Sequence, residues 1–173
     1  LQHAIFTIPN RREGYTTDDN ARALIFSLML EHMDNEGLLQ DETRTPDCSA
    51  SHSAGLYLAF LEHAFNSAKG RFKNFLRYDR RWNEPVGSED CHGRALWALG
   101  TVLGQSQNQG LRGAAGRLFE FALPAATEFS SPRAWAYALL GIQEYLTSYP
   151  GDRDTQKVQL ALSGRLLKMY ESI

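Results

Sequence analysis

An all-α fold of stacked helical hairpins, an α/α toroid or half-toroid, follows from three observations on this 173-residue chain. Stretches of helix length recur with good start and stop signals. They alternate between apolar on every side and apolar on one side. A motif that opens with acids repeats at their starts: GYTTDDNARALIFSLML at 14–30, GSEDCHGRALWALG at 87–100, and a partial third copy, SPRAWA, at 131–136. A helix apolar all round is buried all round. The order buried, amphipathic, buried, amphipathic, buried, amphipathic therefore predicts an inner layer wrapped by an outer one.

The lead-in, Ala4-Ile5-Phe6-Thr7-Ile8 before Pro9, reads as extended chain, with Arg11, Arg12 and Glu13 solvated. The first helix is predicted over about 18–32. Thr16 or Thr17 caps it, and Asp18 and Asp19 sit in the first turn, where carboxylates suit the free N–H groups and the dipole. Gly37 stops it, and a polar linker with Pro46 follows. The second helix, about 51–67, shows Ala54, Tyr57, Leu58, Leu61 and Phe65 at helical spacing. Residues 71–82 alternate loosely and read as a short extended segment or β-ribbon.

The third helix, about 89–103 with Ser88 as cap, has no clean polar face. The fourth, about 111–127, places Leu111, Ala115, Leu118 and Ala122 on one side, and Pro124 kinks or ends it. The fifth starts with Ser131 as cap and Pro132 in first position, is apolar all round, and stops at Pro150-Gly151. The sixth, about 154–171, carries the stripe Val158, Ala161, Leu162, Leu166, Met169 and Tyr170. Ala and Gly in the first, third and fifth helices, among them Ala98, Gly100, Ala134 and Gly141, let neighbours approach closely. The three hairpins make one domain, with an open edge that either further chain or a second copy covers.

Composition excludes several classes. Hydrophobic residues make up 43%, too many for a disordered chain. The net charge of −2 argues against nucleic acid or an anionic membrane as the main partner. No long uncharged apolar run offers a membrane span, and no signal peptide is visible. Cys48 and Cys91 sit in no CxxC and read as free thiols of a reducing, cytoplasmic compartment, one disulfide being the alternative. His32, His52 and His63 have no ligand spacing, so no metal is expected. Neither GxSxG nor a phosphate-cradling glycine loop is present, and no cofactor is expected.

If the inner helices start on one side, Asp18, Asp19, Glu89, Asp90, His92 and Arg133 gather around one mouth, rimmed by Tyr15, Tyr78, Trp82 and Trp135. Carboxylates beside aromatic platforms suit a sugar: rings stack on pyranose faces, and an acid pair supplies acid and base for glycosidic cleavage. Asp18, Asp19, Glu89 and Asp90 are thus candidate acid–base residues. Tyr15, Arg22, Trp82, His92, Arg94 and Arg133 are candidate binding residues. The plainer reading stands beside it: first-turn acids cap helices, and Asp18–Arg22 and Asp90–Arg94 are four-apart ion pairs. Trp97 and Trp135 read as core rather than ligand platforms, because helices apolar all round bury large rings.

GYTTDDNARALI, FLRYDRRW, GSEDCHGRALWALG and SPRAWAYALLGI together resemble the α/α-toroid region associated with some bacterial glycosyltransferases of the group 1 type. The similarity spans most of residues 3–145. It implies a six-hairpin-glycosidase-like fold, a saccharide or glycoconjugate as ligand, and a nucleotide-sugar transferase domain as companion. This chain has no Rossmann-type halves, so it is not that transferase module, and it holds about half the hairpins the resemblance implies. The alternative is a non-enzymatic helical-repeat scaffold that pairs through its open edge. An epimerase or lyase of the same fold class is a third reading. It wants a His pair at the mouth, where His92 is the only one well placed.

Overall fold

A computed structural model describes residues 4–6, 8–9, 14–38 and 50–172. The expectations for Arg11, Arg12, Glu13, Pro46 and Cys48 lie outside these. Among the described residues the chain is all-α, with a few two-residue strands. The helices are α1 (Thr17–Asn35), α2 (Ala50–Ala64), α3 (Glu89–Gln105), α4 (Gln109–Ala122), α5 (Pro132–Ser148) and α6 (Arg153–Glu171). A 3₁₀ segment, Leu123–Glu128, follows α4 with Pro124 at its start, where the missing N–H is tolerated.

The lead-in is extended as read: β1 (Ala4–Ile5) pairs antiparallel with β2 (Ile8–Pro9). The 71–82 segment is divided between partners. β5 (Arg71–Phe72) pairs with β4 (Phe65–Asn66), which ends α2 earlier than its periodicity suggests. β6 (Phe75–Leu76) pairs with β3 (Tyr15–Thr16), just ahead of α1.

The helix α3 is the centre. It packs against α5 on one side and α1 on the other, while α2, α4 and α6 pack behind α1, α3 and α5 respectively. α3 and α5 run parallel and in register. A Cβ added to Gly93 would meet Ala134 O at 2.7 Å, one on Gly100 would meet Gly141 O at 2.0 Å, and one on Gly104 would meet Glu144 O at 2.8 Å. Backbone touches backbone along the seam, so glycine is needed for space there.

The all-round burial expected of three helices holds for α3 alone, which buries Cys91, Ala95, Leu96, Ala98, Leu99, Val102 and Leu103. In α1, Ala21, Leu24 and Leu28 are buried, yet Phe26 and Met29 are 59% and 54% exposed. In α5, Ala134, Ala138 and Ile142 are buried and Leu140 is exposed. The cause is position: α3 has a helix on each flank, whereas α1 and α5 have one among the described residues. The α6 stripe is also displaced. Thr155 and Leu162 are buried, whereas Ala161, Met169 and Tyr170 are exposed.

Candidate functional site

The mouth begins with the start of α1. Thr16 Oγ1 accepts from Asp19 N at 3.1 Å, capping the helix as read. The next free donors go to the loop between β5 and β6: Thr17 N donates to Asn74 O at 2.9 Å and Asp18 N to Asn74 Oδ1 at 3.3 Å. Asn74 is itself fixed, because Glu84 Oε1 accepts from Asn74 N and Phe75 N, both at 2.7 Å. The β5–β6 loop is therefore the seat on which α1 starts.

The starts of α1, α3 and α5 lie side by side, and acids join them. Asp18 of α1 faces Arg94 of α3, with Oδ1 2.8 Å from Nε. That nitrogen has no aligned hydrogen-bond acceptor, so the contact is one of charge. Arg94 also donates from Nη2 to Tyr137 OH of α5 at 2.9 Å, and its guanidinium lies 4.5 Å from the Tyr137 ring centroid. One side chain of the middle helix thus grips both neighbours. Asp90 of α3 accepts from Arg133 Nε of α5 at 2.6 Å and from Ser131 Oγ at 3.0 Å. Glu89 accepts from Ser130 N at 2.9 Å and Ser131 N at 2.7 Å, supplying acceptors at the start of α5.

These partners differ from the four-apart pairs the spacing suggests. Asp18–Arg22 exists at 2.9 Å, and Asp19 joins it at 2.6 Å. Asp90, however, reaches forward to Arg133 on the next helix, leaving Arg94 to Asp18. The acid of one motif copy bonds the arginine of the following copy, because parallel neighbours in register place the two closest. Arg22 is also not enclosed: its side chain is 55% exposed, against 15% for Arg94.

His92 does not belong to the mouth. It is fully buried, with its ring between those of Phe72 and Phe129, at 5.1 and 5.3 Å. Nδ1 accepts from Phe72 N at 3.3 Å, so the proton lies on Nε2, which donates to Ala122 O at 3.0 Å. Burial pushes its pKa down to about 3, overcoming the opposing pull of the Ala122 carbonyl. Its place in the first turn of α3 suggested access, but the strand β5 and the 3₁₀ segment close over that face.

Tyr15 and Trp82 join a second aromatic group. Tyr15 lies 5.2 Å from Tyr78 and 6.4 Å from Phe60, and Trp82 lies 5.9 Å from Phe60 and 5.4 Å from His63. Lys73 Nζ sits 4.6 Å above the Trp82 ring. Trp97 is only partly buried and stacks on Tyr137, with centroids 6.0 Å apart and planes at 8°. Below it, Ile25, Met29, Met33, Thr101 and Glu144 line a shallow groove along the front of α1, α3 and α5.

Two participants escaped sequence reasoning. Tyr137 lies one turn after Arg133, a spacing that marks a shared helix face, but nothing local points it at Arg94. Asn74 lies in a loop whose pairing is set entirely by distant chain.

No family model matches the chain, and no curated protein matches it. Among the described residues no cluster of His, Cys, Asp and Glu could hold a metal, and no helix is long and apolar enough to cross a membrane.

Proposed function

We propose that this chain is part of an α/α toroid, of the kind associated with group 1 glycosyltransferases, and that its mouth binds a saccharide without cleaving it. The observation that carries the reading is the row Asp19, Arg22, Asp18, Arg94, Tyr137, Asp90 and Arg133. Two bonded groups, Asp19–Arg22–Asp18–Arg94–Tyr137 and Asp90–Arg133, set donors and acceptors across the starts of three parallel helices. Binding is favoured over hydrolysis because all four candidate acids accept hydrogen bonds from protein groups. A general acid–base pair needs groups open to the glycosidic oxygen and to water. Arg22 and Arg133, whose side chains are 55% and 69% exposed, are the donors that reach a ligand. A companion transferase domain fits a binding role. A reducing, cytoplasmic setting is part of the same proposal.

Calorimetric titration with a panel of neutral and acidic oligosaccharides tests this. Saturable binding is expected, weakened about tenfold by Arg22→Met with Arg133→Met, the scale of lost charged hydrogen bonds, while the melting temperature holds. No binding across the panel, or binding indifferent to both substitutions, contradicts the proposal.

The scaffold reading has one observation of its own, the exposed Phe26, Met29 and Leu140 on the flanking helices. Light scattering after size exclusion separates the two: a dimer that is indifferent to sugars favours the scaffold.

A further inference from the structure

A cavity of about 480 Å³ opens between α4 and α6, and none of the mouth residues lines it. That volume lies in the range of small-molecule sites, about 300–1,000 Å³. Leu103, Phe119, Leu123, Pro124 and Val158 give it an apolar floor, and Glu120, Asp152 and Asp154 stand on its lining with no Lys or Arg among them. Two cations border the lining without belonging to it: Arg112 donates to Leu103 O and to Tyr149 OH, and Lys157 is paired with Asp154.

The three acids are not equivalent. Asp152 caps α6, accepting from Asp154 N, Thr155 N and Thr155 Oγ1, and also accepts a hydrogen bond from Tyr145 OH at 2.8 Å. Asp154 pairs with Lys157 at 2.8 Å. Glu120 is exposed and has no hydrogen bond or ion pair among the described residues. The aromatic wall narrows the ligand class further. Tyr145 is stacked between Phe119 and Tyr149, with centroids 4.8 and 4.9 Å away, so neither of its faces is open to a pyranose. An apolar pocket whose lining carries three acids and no Lys or Arg, with one carboxylate unpaired at its rim and the bordering cations engaged elsewhere, suits a cation with an apolar body better than an anion.

We propose that this cavity binds a primary amine on a small flat apolar body, an arylalkylamine, with Glu120 meeting the ammonium. The test is calorimetry on the full chain with phenethylamine, phenethyl alcohol and phenylacetate. Gly116 lines the cavity, and an added Cβ there would meet only Leu103 Cδ2, at an ordinary 3.6 Å. Gly116→Leu therefore fills the space without straining the backbone. Phenethylamine is expected to saturate and phenylacetate not to bind. Glu120→Gln weakens the amine about threefold, the scale of an exposed ion pair, and leaves the alcohol unchanged. Gly116→Leu, with an undiminished melting temperature, abolishes both. The proposal is overturned if the amine does not saturate, if phenylacetate binds as well, or if folded Gly116→Leu binds the amine like the parent. Glu120→Gln and Gly116→Leu leave the mouth untouched, so saccharide titration of either variant reports on the mouth separately.

Discussion

The helix α3 meets its two neighbours in different ways. Against α5 the contact is backbone on backbone, with Gly100 and Gly141 facing each other. Against α1 it runs through side chains, with Ile25 and Met29 beside Trp97 and Thr101 along an open groove. Each seam carries one acid–arginine rung at its head, and the wetter rung lies on the tighter seam. Arg133 is 69% exposed beside Asp90, whereas Arg94 is 15% exposed beside Asp18. Close approach of helices and shielding of charge are therefore separate properties. The shield over Arg94 is the Tyr137 ring and hydroxyl, supplied by a third helix.

The largest effect should come from breaking the tight seam. Gly100→Ala puts a carbon 2.0 Å from the Gly141 carbonyl oxygen, which only separation of the helices relieves. A loss of about 3 kcal/mol is expected in denaturant unfolding. Thr101→Val, on the looser face, should change stability by less than about 1 kcal/mol, the hydroxyl bonding only its own helix at Trp97 O. If the two substitutions cost the same, the seams do not differ as described.

The shielded rung comes next. Arg94→Met leaves Asp18 with Arg22 alone and frees Tyr137 OH, and should cost about 2 kcal/mol. Arg133→Met removes a screened partner and should cost less than about 0.5 kcal/mol.

The mouth is set against the core by acid titration. His92 takes up its proton near pH 6.5 when unfolded and near pH 3 when folded. The unfolded state thus binds the extra proton between those values. The contribution of neutral His92 is full above pH 6.5 and declines as pH falls towards 3, by about 1.4 kcal/mol per unit. His92→Gln should be less stable at pH 7 and should fall less steeply below pH 6. An equally steep fall means that His92 is not held neutral.

Much of the helical layout was legible because it rests on local physics. Thr16, Ser88 and Ser131 cap the helices that the spacing assigns to them. The small residues of α3 and α5 anticipate a close seam, and Pro124 marks the end of α4. Burial was legible only where a helix has neighbours on both flanks, since an apolar sequence does not say what stands beside it. Phe26 and Leu140 are apolar and exposed for that reason. The acids at the mouth were found, but their partners were not. Helical spacing pairs Asp90 with Arg94, and only the register of adjacent helices sends it to Arg133 instead. His92 was misplaced because β5, which covers it, comes from a segment whose pairing is nonlocal.

The acids at the mouth bind one helix to the next. A double-mutant cycle on Asp18→Asn and Arg94→Met, measured by chemical denaturation, tests it most directly. A coupling energy of about 1–2 kcal/mol is predicted, well above that of Asp90→Asn with Arg133→Met. A coupling near zero for Asp18 and Arg94 would contradict the account.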